Sequence, residues 1–173
     1  MMDLGDFIRD IPDFPKKGII FKDITPLLLD PMVLDEAIVR LAEPYRDAGI
    51  EVVVGIESRG FIFGPAVARE IGAGFVPVRK PGKLPHKTVS REYALEYGTD
   101  AIEMHADAIA DGMKVLMLDD LLATGGTMAA ACEMVKDLGG DIVGIAFLIE
   151  LCFLNGREKL TDYEVHSLIR VEK

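Results

Sequence analysis

The sequence predicts an α/β fold, a mainly parallel central sheet flanked by helices on both faces, with a small hood from an N-terminal arm. Two stretches carry that prediction. Val115-Leu116-Met117-Leu118 is a continuous apolar run that closes on Asp119 and Asp120. It then turns through Ala123-Thr124-Gly125-Gly126-Thr127 into Met128-Ala129-Ala130-Ala131-Cys132-Glu133-Met134-Val135-Lys136, a good helix sequence ended by Gly139-Gly140. Glu51-Val52-Val53-Val54-Gly55-Ile56 repeats the pattern through Glu57-Ser58-Arg59-Gly60 into a helical segment, 61–71. Short apolar runs bounded by turn residues suit strands buried on both faces of a parallel sheet.

Composition bounds the rest. The chain has 173 residues, 50% hydrophobic, which suits one domain over 1–173 with a proper core. No apolar stretch approaches the roughly 20 residues of a membrane span, so no membrane partner is expected. The acidic start, Met1-Met2-Asp3-Leu4-Gly5-Asp6, lacks a signal peptide's basic and apolar regions, and a cytoplasmic protein is expected. Cys132 and Cys152 make no disulfide framework and read as core thiols. A net charge of −10 argues against a nucleic-acid partner and requires any anionic substrate to meet a local basic patch.

In chain order, residues 11–23 carry Pro12, Pro15 and Gly18 around Phe14 and Phe21. Prolines keep this piece out of a helix interior, so it reads as the hood arm, about 1–28, ending in the extended Ile19-Ile20-Phe21. Residues 31–49 place Leu34, Ala37, Ile38, Leu41 and Tyr45 on one helical face, with Asp30 as N-cap, Pro31 at the first position and Pro44 as a kink. Gly74-Phe75-Val76-Pro77-Val78 is a strand leading into a Pro- and Gly-rich loop with Arg79, Lys80, Lys83, Lys87 and Arg91. A basic cluster in so acidic a chain is informative, and a long loop of this kind reads as a flexible flap over about 80–97. Glu92-Tyr93-Ala94-Leu95-Glu96-Tyr97-Gly98 alternates as a returning strand would, and 104–110 reads as a connector with His105, like His86, facing solvent. Strands over 141–150 and 163–169 enclose an irregular piece, 151–159.

The chemistry concentrates in the two strand-to-helix turns. Gly125 and Gly126 let successive N–H groups converge on an anion, Thr124 and Thr127 add hydroxyl donors, and the following helix offers its N-terminus. Asp119 and Asp120 suit vicinal hydroxyls, so a phosphorylated ribose fits the stretch. An ordinary turn capped by Thr124 or Thr127 is the plainer alternative, but two adjacent carboxylates are costly without a ligand, a metal or good solvation. No P-loop lysine pattern is present, which removes the main support for an ATPase. Arg59 offers a fork of donors at the second helix start, or else pairs with Glu57 or Glu70.

These motifs resemble the type I phosphoribosyltransferases, on their adenine-using branch. The resemblance runs from about 11 to 168 and rests on Phe14-Pro15-Lys16-Lys17-Gly18-Ile19-Ile20-Phe21-Lys22-Asp23-Ile24, Glu57-Ser58-Arg59-Gly60-Phe61-Ile62-Phe63-Gly64, Arg79-Lys80-Pro81-Gly82-Lys83-Leu84-Pro85, Leu95-Glu96-Tyr97-Gly98 and the Asp119 to Thr127 stretch. It implies the type I phosphoribosyltransferase fold and transfer of a phosphoribosyl group from phosphoribosyl pyrophosphate to adenine N9, giving AMP and pyrophosphate. It implies that Ala123, Thr124, Gly125, Gly126 and Thr127 hold the 5′-phosphate, that Asp119 and Asp120 hold the ribose hydroxyls, and that Arg59, Arg79, Lys80 and Lys83 serve pyrophosphate. Main-chain groups of Ile20 and Lys22 would read the base edge while Phe21 packs on its face. Glu96 would be the acid/base, with Arg59 and Lys83 also catalytic, and Tyr97 would contact phosphate or close the site. Mg²⁺ would ride on the substrate with no direct protein ligand, Asp119 reaching it through water. A homodimer is implied, with Lys80 and Lys83 offered to the neighbouring subunit, and a non-proline cis peptide at Ser58–Arg59. Lys22 stands where the family often has arginine. Two alternatives stay open: an oxo-purine in place of adenine, and a regulator that binds phosphoribosyl pyrophosphate without catalysis.

Overall fold

The computed structural model describes residues 2–94 and 99–173. Its centre is a five-stranded sheet in which every neighbouring pair is parallel. The strands are β3 (Val52–Ile56), β4 (Gly74–Val78), β7 (Lys114–Leu122), β8 (Asp141–Leu151) and β9 (Val165–Val171), in the spatial order β4-β3-β7-β8-β9. Antiparallel pairs stand outside it: β1 (Arg9–Pro12) with β2 (Ile20–Asp23), and β5 (Thr88–Ala94) with β6 (Thr99–His105).

Strand alternation sends successive side chains to opposite faces, and the two faces are covered differently. Val53, Leu116, Leu118, Ala146 and Leu148 pack under α2 (Pro31–Ala42) and α3 (Gly60–Ile71), against Ala37, Leu41, Phe63 and Val67. Val52, Val54, Val115, Met117 and Phe147 pack under α4 (Gly126–Asp137) and the β5–β6 hairpin, against Met128, Ala131, Cys132, Ile102 and Met104. The short α1 (Thr25–Leu29) joins the hood to α2. Asp30 caps α2 as its sequence suggests, accepting from the amides of Met32 and Val33 at 2.9 and 3.3 Å.

Several expectations are corrected. The helix expected over 31–49 ends at Ala42, and Pro44 sits in a separate 3-10 turn, Glu43–Tyr45, because proline withholds an N–H from the helical ladder. The central strand does not stop before the acidic pair but runs through it to Leu122, since β8 continues the ladder alongside, Asp119 opposite Phe147 and Leu121 opposite Ile149. Within the expected flap of about 80–97, Thr88–Ala94 form β5, which begins earlier than the strand read from residue 92, and the expected connector from 104 begins inside β6, with Met104 fully buried in the core. His105 is half-buried rather than facing solvent, while His86 is exposed as expected. Cys132 is a core thiol, its pKa pushed up to about 12 by burial, whereas Cys152 is only half-buried. No helix among the described residues is long and apolar enough to cross a membrane.

Candidate active site

The order β4-β3-β7 sets three functional segments side by side. Arg79 and Lys80 follow β4, residues 57–60 follow β3, and residues 123–127 follow β7. In an open parallel sheet the carboxyl ends of the strands are where ligands bind.

The turn after β7 curls around a cavity of about 80 Å³. Asp119, Leu121, Phe147 and residues 122–128 line it. Gly125 is the N-cap of α4, with φ of 77°, a left-handed conformation that favours glycine. No side chain caps this helix, so the hydroxyls of Thr124 and Thr127 are not used as caps. The unpaired amides at the start of α4 face the same turn, an arrangement suited to an anion.

The acidic pair splits between two environments. Asp119 lines the cavity and lies tight under the start of α3; a Cβ on Gly60 would come within 2.7 Å of its Oδ1. Its Oδ1 accepts from the Asp120 amide at 2.8 Å. Asp120 is only 5% exposed and sits 2.8 Å from Arg59 Nε. The Arg59 N–H does not point along that line, so the pair is an ion pair and Asp120 Oδ2 is a buried oxygen that accepts no hydrogen bond among the described residues. Burial, and then the neighbouring Asp120 charge, raises the Asp119 pKa well above the usual carboxylate range. Burial raises Asp120 too, against the opposing pull of Arg59. Carboxylates in this state accept strongly when a hydroxyl or cation arrives.

Arg59 pairs with neither Glu57 nor Glu70, the partners weighed from sequence. Besides Asp120 it lies over the Phe21 ring, 5.0 Å from the centroid. The loop before it contains a non-proline cis peptide, but between Glu57 and Ser58 rather than Ser58 and Arg59. Arg59 already holds helical backbone angles as the N-cap of α3, so the corner of the turn falls one residue earlier.

Glu57 organises the cations that follow β4, a role the sequence did not reveal. It accepts from the Lys80 amide at 2.9 Å and from Arg79 Nε at 3.2 Å. Those bonds, the Lys80 amide first, lower its pKa. Arg79 is also tied into the hairpin, exchanging backbone hydrogen bonds with Glu103. Lys80 pairs through its side chain with Asp100 and Tyr93, and Arg91 with Glu133 and Asp137 on α4. The expected cluster of free flap cations is thus largely one of internal ion pairs. Lys83 stands close enough to Glu57 to help lower its pKa.

At the hood, Ile20 and Lys22 share a cavity of about 430 Å³ with Leu151, Phe153 and Leu154, while Phe21 points to Arg59. Alternation along a strand separates Phe21 from its two neighbours. Phe14 is 51% exposed and meets Phe21 edge-on at 5.2 Å, so neither ring anchors the arm in the core. Lys22 is bonded to Asp10 at 2.7 Å. Among the described residues β2 is paired with β1 alone, which leaves it one edge without a strand partner there. Glu96 and Tyr97 lie outside the described residues.

A parallel sheet with an anion-cradling turn, a carboxylate pair and a second turn bearing Arg59 defines a class. The model of the phosphoribosyl transferase domain matches residues 25–170, and the chain belongs to that family. Its curated relatives narrow the class to the adenine phosphoribosyltransferases. The enzyme of that name from Natranaerobius thermophilus is 58% identical over 97% of this chain and 98% of its own. The crystal structure of adenine phosphoribosyltransferase from Thermoanaerobacter pseudethanolicus superposes with a TM-score of 0.94 at 52% identity, over 97% and 98% of the two chains. The Saccharomyces cerevisiae enzyme, solved with adenine and an imino-altritol bisphosphate, superposes with a TM-score of 0.90 at 41% identity, over 95% and 96%.

Proposed function

We infer that this protein is an enzyme of purine salvage that transfers the 5-phosphoribosyl group of phosphoribosyl pyrophosphate to adenine, giving AMP and pyrophosphate. The observation that carries the site assignment is the phosphate-sized cavity at residues 122–128 with Asp119 on its wall, next in the chain to an Asp120 that is ion-paired with Arg59.

In the reaction the N9–C1′ bond forms, the bond from C1′ to pyrophosphate breaks, and the pyrophosphate anion departs. Amides and hydroxyls of Ala123, Thr124, Gly125, Gly126 and Thr127 hold the 5′-phosphate and fix the sugar. Asp119 and Asp120 accept from the ribose hydroxyls. Arg59, Arg79, Lys80 and Lys83 receive the leaving pyrophosphate, which requires Arg59 to leave Asp120 and Lys80 to leave Asp100. That movement also uncovers the face of Phe21 for the purine. The open edge of β2 at Ile20 and Lys22 offers main-chain groups to the purine's rim. Glu96 is assigned the proton traffic on the ring, donating to one nitrogen while the N9 proton leaves to water and N9 becomes nucleophilic, then recovering the donated proton from AMP, and Tyr97 closes the site.

Mg²⁺ fits the donors present as a substrate-borne ion. Mg²⁺ on phosphorylated substrates is commonly held through few carboxylates and water. Asp119 would approach it through water. When bound, the ion neutralises pyrophosphate charge. We assign the protein to the cytoplasm and to a homodimer.

The test is pyrophosphate release with Mg²⁺ and phosphoribosyl pyrophosphate, offering adenine, hypoxanthine and guanine separately. Release with adenine alone is expected, and Glu96→Gln should lower kcat by about 10²–10⁴-fold. Release only with an oxo-purine would overturn the base assignment. Binding of phosphoribosyl pyrophosphate without release would mark a regulator.

A further inference from the structure

The turn that lines the phosphate cavity is backed by a segment with no role in the reaction as described. After β8 the chain makes two 3-10 turns, Cys152–Leu154 and Gly156–Lys159. The second presses backbone to backbone against residues 123–125. A Cβ on Gly156 would stand 2.3 Å from the Ala123 carbonyl oxygen and 3.1 Å from the Gly125 nitrogen. A Cβ on Gly125 would stand 2.4 Å from the Gly156 carbonyl oxygen. Gly125 also needs its left-handed φ, but the φ of Gly156 is one that any residue adopts. Gly156 is therefore required by close approach alone.

Arg157 holds this contact in place. Its Nε and Nη2 donate to the two carboxylate oxygens of Glu150 at 2.6 and 2.7 Å, a fork-to-fork pair. Its Nη1 donates to the Val165 carbonyl at 2.9 Å. The Glu150 side chain is 4% exposed, so the pair is rooted inside the protein, at the end of β8. Leu160, just beyond the turn, is buried in one cluster with Leu122 and Met128, which flank the phosphate cavity. The segment is clamped from the side by Arg157 and from within by Leu160, with Gly156 facing the cradle.

We propose that Gly156, held by the Arg157–Glu150 fork, is a positioning residue for the 5′-phosphate, fixing from behind the curvature of residues 123–127 without touching the ligand. The proposal rests on the proposed function in one respect, that this turn binds the phosphate of the phosphoribosyl group. It assigns to the end of β8 the task of keeping the cradle's amides convergent before the ligand arrives, which matters because anion affinity falls as those amides splay.

The experiment compares wild type with Gly156→Ala and Arg157→Lys, using Glu158→Ala as an exposed control on the same turn. Binding of ribose 5-phosphate is measured by calorimetry, and KM for each substrate by pyrophosphate release. Gly156→Ala should weaken ribose 5-phosphate and raise KM for phosphoribosyl pyrophosphate by about 10–100-fold, the scale of a displacement near 1 Å, while KM for adenine stays near wild type. Arg157→Lys keeps the charge but loses the fork and should shift the same two quantities in the same direction by less. Unchanged ribose 5-phosphate binding in both variants, or a KM for adenine that rises in step, would overturn the proposal in favour of plain destabilisation. Should Gly156→Ala fail to fold, hydrogen exchange on wild type decides. Ribose 5-phosphate should then protect amides at 157–160 as well as at 124–128, and protection confined to 124–128 would overturn it. These binding measurements need no turnover, so a wild type that binds ribose 5-phosphate but releases no pyrophosphate would sink the proposed reaction while leaving the positioning role to be judged on its own readout.

Discussion

Asp119 is partly exposed where it lines the cavity after β7, yet desolvation around its carboxyl still opposes its charge. Burial and the adjacent Asp120 raise its pKa, so the folded state favours the protonated acid. Below the ordinary value of 3.8 the group is neutral folded or unfolded and no penalty exists. As pH rises from there towards the raised value, the unfolded chain releases its proton first and stability is lost, with the full penalty present above the folded pKa. Asp119→Asn should therefore melt higher than wild type at pH 7, by roughly 0.5–2 kcal/mol of stability, and the gap should close as pH falls towards 4. Thermal melts of ligand-free protein at the two pH values check this, and a variant that melts lower at pH 7 would refute it. The same substitution should abolish most transfer activity, since the acceptor for a ribose hydroxyl is weakened. Asp119 and the turn after it were readable from sequence because apolar run, carboxylates, glycines and helix are contiguous. Glu57 and Gly156 were not. The first matters through Arg79 and Lys80, some 22 and 23 positions later, and the second is a lone glycine whose meaning is a backbone contact more than 30 positions back in the chain.

Among the elements, the β5–β6 hairpin departs furthest from what its sequence suggests. Pro81, Gly82 and Pro85 read as a loop, and 81–87 is one, but the strand pattern is legible only over 92–98, whereas β5 already begins at Thr88 and β6 carries no strand reading from sequence. The structure instead roots the hairpin in the core through Ile102, 2% exposed, and the fully buried Met104, and ties its outer side to α4 through Arg91, Glu133 and Asp137. The two anchorages are unequal. Arg91→Ala breaks partly exposed ion pairs and should cost at most about 1 kcal/mol. Ile102→Ala removes a buried branched side chain and should cost about 2–5 kcal/mol. Denaturant melts of the two variants make the comparison, and equal losses would show that charge, not packing, seats the hairpin. β7 teaches a complementary lesson: charged residues do not end a strand when a neighbour continues the ladder, and only the pairing with β8 could reveal that it extends to Leu122.

Across the whole molecule, the class and the strand-turn-helix units were legible because a parallel sheet buried on both faces leaves continuous apolar runs. The order β4-β3-β7-β8-β9, which sets the three functional segments side by side, was not, because it depends on crossovers rather than on any local pattern. Nor could composition say how a protein of net charge −10 receives a polyanion. The ion pairs do. Arg59 with Asp120, Arg79 with Glu57 and Lys80 with Asp100 mean that the site carries its own counterions. On the proposed function, phosphate oxygens would have to take over donors that are already engaged. Added salt should accordingly raise KM for phosphoribosyl pyrophosphate less in wild type than in Glu57→Gln, where Arg79 loses its resident anion. Arg59, Arg79 and Lys80 each have a carboxylate partner, so on the proposed reading a single stray phosphate would compete poorly where a polyanion could replace several partners at once.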